Sequence, residues 1–138
     1  MSRLSFLFAA ILLFTGCFRR EFKQSIAKGY SLYAYACHED MTIMYFDKYG
    51  GFEIVGPTVF AMGYDKNFII AKQHPAIYPE KENRSVTNYF IIPLNKPVGW
   101  TSQDVVMGPF NETQFMQMRT KLKIADTLDF SVIFYDTK

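Results

Sequence analysis

The sequence predicts an α+β domain: a strongly bent antiparallel sheet of about six strands, with one amphipathic helix placed before the last strand. Three observations carry that expectation. Aromatic residues are dense, with 14 Phe and 9 Tyr in 138 residues, and aromatic and β-branched side chains favour strands. Short turns separate the apolar runs, and strands joined in this way pair antiparallel because parallel pairing needs a long crossover. One stretch after Asn111 has its apolar residues at helical rather than alternating spacing. A single helix covers only one face of a sheet, so an all-β partial barrel stands as the alternative.

Phe18 to Lys28 (FRREFKQSIAK) is charged and weakly patterned, which reads as linker or a frayed helical turn. Gly29 opens the strand series. Tyr30 to Cys37 and Met41 to Asp47 are two aromatic-rich runs, and His38-Glu39-Asp40 between them reads as a hairpin turn. Asp47-Lys48-Tyr49-Gly50-Gly51 punctuates the chain before a short strand, Phe52 to Val55, which ends at Gly56-Pro57. Thr58 to Tyr64 and Phe68 to His74 flank Asp65-Lys66-Asn67, a tripeptide suited to a type I turn closed by a left-handed Asn67. Pro75 to Ser85 has two prolines and a charged centre, and is expected as an exposed loop. Asn88 to Leu94 (NYFIIPL) resumes the sheet, with Pro93 marking an end or an edge. Asn95 to Pro109 has no pattern and holds the only tryptophan, Trp100.

The helix is signalled at its start. Asn111 can cap the amides ahead of it, and Gln114 three residues later supplies the reciprocal bond of a capping box. Phe115, Met118 and Leu122 then line one face, and Arg119, Lys121 and Lys123 crowd the negative end of the dipole. Phe130 to Tyr135 (FSVIFY) is the closing strand.

The N-terminal end says most about location. After Met1-Ser2-Arg3 comes LSFLFAAILLFTG, an uncharged run from Leu4 to Gly16 that ends at Cys17. Its 13 residues fit a secretory apolar region and fall short of the roughly 20 needed to span a bilayer. This stretch resembles a bacterial lipoprotein signal, a short apolar–small–small–Cys box in which Thr15 and Gly16 supply the small residues. The resemblance implies a diacylglycerol thioether on Cys17, cleavage after Gly16 and acylation of the new amine. Phe14 departs from the usual Leu, a looser box familiar in Bacteroidetes-type sequences. One acyl chain holds a protein marginally, whereas two or three on one cysteine hold it durably. Arg19 and Arg20 can meet anionic headgroups, each adding on the order of 1 kcal/mol near such a surface.

The expected organisation is a signal peptide over residues 1–16, a lipidated N-terminus and tether over 17–28, and one β-rich domain over 29–138. Without the signal, 14 Lys and Arg face 13 Asp and Glu, so nothing steers the chain toward nucleic acid. An acylated Cys17 leaves Cys37 without an intrachain disulfide partner, and Cys37 then reads as a small core hydrophobe.

A second resemblance lies mid-chain. GPTVFAMGYDKNFIIAKQHP (56–75) followed by NYFIIPL (88–94) is similar to a family of small Bacteroidetes-type lipoproteins defined as a domain of unknown function. The similarity spans roughly residues 28 to 95 and implies no activity.

Candidate chemistry is sparse. Cys37-His38-Glu39-Asp40, with His74 from a neighbouring strand, holds residue types that bind metals. Consecutive residues on a turn point in different directions, however, so no metal site is expected, and no cofactor. A Cys37–His74 thiolate–imidazole pair would need an activated thiol, yet Cys37 follows an aromatic strand rather than opening a helix. Lys72 and His74 share a strand face and could form the rim of a ligand or partner cleft; the alternative is a strand leaving into solvent. The nine tyrosines could furnish a stacking surface for glycan or peptide, or simply a half-buried sheet. Paired carboxylates, a phosphate-cradling glycine loop and a serine-nucleophile elbow are missing, so an enzyme is not expected. The function expected is that of a membrane-anchored envelope lipoprotein on the periplasmic face of an outer membrane, acting as a binding or structural module toward an envelope protein or glycan. The alternative is a periplasmic inhibitor of a hydrolase such as lysozyme.

Overall fold

The computed structural model describes residues 21–36, 38–77, 79–98 and 104–134. Among the described residues the fold is antiparallel throughout, with a single α-helix, and it arranges nine strands in two sheets rather than about six in one. The first sheet takes β1 (Phe22–Ala27), β2 (Tyr30–Ala34), β3 (Thr42–Asp47) and β4 (Gly50–Val55) in simple sequential order. The second has the order β8-β7-β6-β5-β9, built from β5 (Val59–Tyr64), β6 (Phe68–Gln73), β7 (Asn88–Pro93), β8 (Met107–Phe110) and β9 (Val132–Ile133). The helix α1 (Glu112–Lys121) lies between β8 and β9 in sequence, as expected. Among the described residues the sheets form no closed barrel.

The chain leaves one sheet for the other at Gly56-Pro57-Thr58. Proline has no amide hydrogen to continue a ladder, and Thr58 takes φ +74°, a left-handed conformation uncommon for a β-branched residue. β4 and β5 therefore do not pair, and a bond from Val59 N to Met41 O (3.0 Å) links the start of β5 to the residue before β3.

The two sheets face one another across one apolar core. Leu32, Ile43 and Val55 come from the first sheet, and Val59, Met62, Ile69, Ala71 and Ile92 from the second. The opposite face of the second sheet is covered by the helix: Ile70, Tyr89 and Ile91 pack with Phe115, Ile124 and Leu128. This layering explains why FIIA and NYFIIP read as continuous apolar runs. Strands covered on both faces have no solvent side to encode.

Local signals proved accurate where the chemistry is local. Asn111 Oδ1 accepts from Gln114 N (2.8 Å), and Gln114 Oε1 accepts from Asn111 N (3.0 Å), which completes the capping box. Beyond the helix Lys123 adopts φ +54°, and Ile124 N donates to Arg119 O. The Asp65 turn differs from the expected form. Asp65 Oδ1 accepts from the amides of Asn67 (2.7 Å) and Phe68 (2.8 Å), an Asx turn, and Asn67 is not among the positive-φ residues.

Other expectations need correction. The stretch read as linker or frayed helical turn contains β1, whose Lys23 and Gln24 pair with Tyr33 and Leu32. Of the punctuation expected over Asp47 to Gly51, Lys48-Tyr49 is the turn, where Asp47 Oδ1 accepts from the amides of Tyr49 and Gly50, while Gly50 and Gly51 already belong to β4. The unpatterned stretch before the helix contains β8 at its end. Pro93 closes β7 as expected, yet β7 is an interior strand. The closing strand shrinks to Val132–Ile133, and Phe130 packs instead under the helix. Gly63 explains the tight entry to β9: a Cβ there would sit 1.9 Å from Asp129 O.

Candidate functional site

Antiparallel strands bring distant segments to one end of the domain. β2 delivers the chain there at Ala34, β4 at Val55 and β6 at Gln73, while β1, β3 and β7 start from the same end. Three loops therefore meet: the 3-10 turn His38–Asp40, the Gly56–Thr58 link and the loop between β6 and β7. Between them opens a cleft of about 860 Å³, lined chiefly by Glu39, Asp40, Thr58, Glu80, Glu82 and Arg84.

Its chemistry is carboxylate-rich with basic counterweights. Arg84 Nη2 lies 2.8 Å from Glu82 Oε1, and Arg84 Nε donates to the same oxygen at 2.9 Å. The hydrogen bond from Arg84, and then one from the Glu82 backbone, hold the Glu82 carboxyl below the usual carboxylate range. Thr58 sits at the floor, its hydroxyl reaching the carbonyls of Pro57 and His74. The backbone around it is pinned, since His74 N donates to Thr58 O at 3.2 Å and Gln73 Nε2 donates to Gly56 O and Pro57 O.

Neither of the two rim residues expected from the sequence lines this cleft. His74 is 3 % exposed, and its ring stacks on Phe60 at 4.1 Å and 11°. Its Nδ1 lies 2.9 Å from Val86 O; a carbonyl can only accept, so Nδ1 carries the proton. Nε2 is buried and has no hydrogen-bond partner among the described residues. Lys72 turns onto the helix-side aromatics, with Nζ 4.3 Å above Phe130 and 5.4 Å from Tyr89. The side chains therefore anchor the strand end, and the cleft is built from loop residues that carry no local motif. The acids at Glu39 and Asp40 and the Glu80-Lys81-Glu82 run were visible in the sequence, but their convergence depends on strand order.

The described tyrosines do not form one platform. Tyr30, Tyr33 and Tyr89 are buried, and the exposed ones divide between the cleft end (Tyr35) and the opposite end (Tyr49, Tyr64). Phe46, beside Tyr33 on the outer face of the first sheet, is covered by Lys23 Nζ at 3.5 Å. Among the described residues no group of three or more His, Cys, Asp or Glu is placed to hold a metal ion. Cys17, Cys37, Tyr78, Trp100 and Tyr135 lie outside the described residues. No described helix is long and apolar enough to cross a membrane.

Fold and cleft together define a class: a two-sheet antiparallel domain with one covering helix and a charged cleft at its strand ends. The chain belongs to a family of proteins of unknown function, DUF3997, whose profile matches residues 27–134. The match bears out membership of a domain-of-unknown-function family and reaches beyond the roughly 28 to 95 of the mid-chain resemblance. Comparison with curated proteins and with solved structures returned no match.

Proposed function

We propose that this chain is an envelope lipoprotein, held on the periplasmic face of an outer membrane by a thioether on Cys17, and that its domain is a binding module working through the cleft at the strand ends. Kinship with Bacteroidetes-type lipoproteins belongs to the same proposal. The observation that carries the binding role is the cleft: Glu39, Asp40, Glu80 and Glu82 converge with Lys81 and Arg84 from segments far apart in sequence. A mixed-charge pocket of that size suits a polar ligand or a charged segment of an envelope protein better than an apolar one. Membrane attachment raises the effective concentration of any partner confined to the same surface.

The anchor is tested by Cys17→Ser. The substituted chain should lose fatty-acid labelling and leave the membrane fraction for the soluble one; retention on carbonate-washed membranes would rule out the thioether. The surplus of carboxylates around the cleft favours a second reading, an inhibitor of a basic hydrolase such as lysozyme. Lysozyme digestion of cell walls, with and without the purified domain, separates the two.

A further inference from the structure

We propose that the cleft end of the domain faces the bilayer, with Ile77 and Tyr35 in contact with lipid. The proposal rests on acylation of Cys17. β1 begins at Phe22, so four residues, or five Cα-to-Cα steps, separate the anchor from the first strand. An extended chain of that length reaches at most about 18 Å. Phe22 pairs with Ala34, which places the start of β1 at the end where the Tyr35 and Ile77 loops emerge. The opposite end, at the Lys48-Tyr49 turn, lies farther by the length of a six-residue strand, about 20 Å.

Side chains at the near end suit a lipid surface. Ile77 is 76 % exposed and Tyr35 60 % exposed, and Val86, in the same loop as Ile77, is also exposed. Apolar side chains on a loop tip gain by entering the headgroup boundary, and a tyrosine presents an apolar body with a wet tip there. Charge in the Ile77 loop does not oppose this contact, because Glu80 and Glu82 are offset by Lys81 and Arg84. The cleft then opens beside the headgroups, and its ligand is met at the membrane surface rather than in the bulk phase.

The experiment places the acylated full-length chain in phosphatidylethanolamine–phosphatidylglycerol vesicles containing a lipid with a nitroxide on its headgroup. A thiol-reactive fluorophore is attached in turn at Ile77→Cys, Tyr35→Cys, Tyr49→Cys and Tyr64→Cys, each with Cys37→Ser. Quenching several-fold stronger at 77 and 35 than at 49 and 64 is the expected result. Equal quenching, or stronger quenching at 49 and 64, overturns the orientation. Amide hydrogen exchange reads the same geometry without any substitution in the folded domain. Exchange over 76–86 should slow on vesicles relative to soluble Cys17→Ser protein, with no change at 48–50, and unchanged rates over 76–86 overturn the proposal. Failure of the anchor is distinct: the Cys37→Ser chain would then take up the fluorophore at Cys17 and would not sediment with vesicles, and both readings would fall.

Discussion

Tyr30 is almost fully buried, with its ring 5.1 Å from Tyr45 at an edge-to-face angle, yet its hydroxyl has no hydrogen-bond partner among the described residues. An unsatisfied buried hydroxyl costs on the order of 1–3 kcal/mol. Burial, and secondly the neighbouring Tyr45, push its pKa above the ordinary 10.0. A raised folded-state pKa gives a definite sign: stability is complete below the unfolded value and declines as pH climbs through it toward the folded value. Tyr30→Phe should therefore be neutral or stabilising by up to about 1 kcal/mol at neutral pH, and should shallow the alkaline decline above about pH 10. Urea unfolding across that range checks both. Tyr89, raised by burial and then by Glu112, keeps part of the decline in place. Destabilisation of the variant by about 1 kcal/mol or more at neutral pH would mean that the phenol is satisfied after all.

At the scale of elements, α1 holds to the second sheet through very little surface. Phe115 is the one helix residue fully buried; it stacks on Tyr89 at 4.9 Å and meets Phe130 at 5.8 Å. Met118 and Leu122 only rim the same cluster. Arg119 strengthens the attachment from the other side, donating to Ala125 O (2.9 Å) and Leu128 O (2.8 Å) so that the segment after the helix closes over the sheet. Phe115→Ala should cost about 3–5 kcal/mol, since the ring leaves a cavity between helix and sheet. Met116→Ala, on the exposed side of the same helix, should stay within about 0.5 kcal/mol. Denaturant midpoints of the two variants give the comparison, and equal values would show that the helix does not contribute to the cooperative unit.

For the whole molecule, the edge of the first sheet decides where the folded part begins. β2 is buried along its entire length, and β1 provides that cover, with Phe22 and Ile26 packed against the core. Both side chains are only partly buried, so covering them stabilises by roughly 2–3 kcal/mol together. A chain of residues 21–138 should keep one cooperative unfolding transition, whereas residues 29–138 should lose about that much stability and expose an unpaired strand edge prone to association. Thermal melts with light scattering would distinguish them, and identical melts would return β1 to the status of a tether.

Some of this architecture was determined by sequence alone. The Asn111–Gln114 capping box and the punctuation at Asp65 were legible because each depends on atoms within three residues of one another. Apolar runs such as FIIA announced buried strands for a similar reason, and the helix before the closing strand followed from its spacing. Tertiary structure decided the rest. FKQSIA and MGPF carry weak local preference and become strands only because β2 and β7 offer them unpaired edges. One sheet became two because Pro57 and Thr58 break the ladder, a consequence that hydrophobic pattern does not encode. Glu39, Thr58 and Glu82 form one cleft solely through strand order, since backbone hydrogen bonding between partners distant in sequence, and no short-range rule, fixes which loops meet.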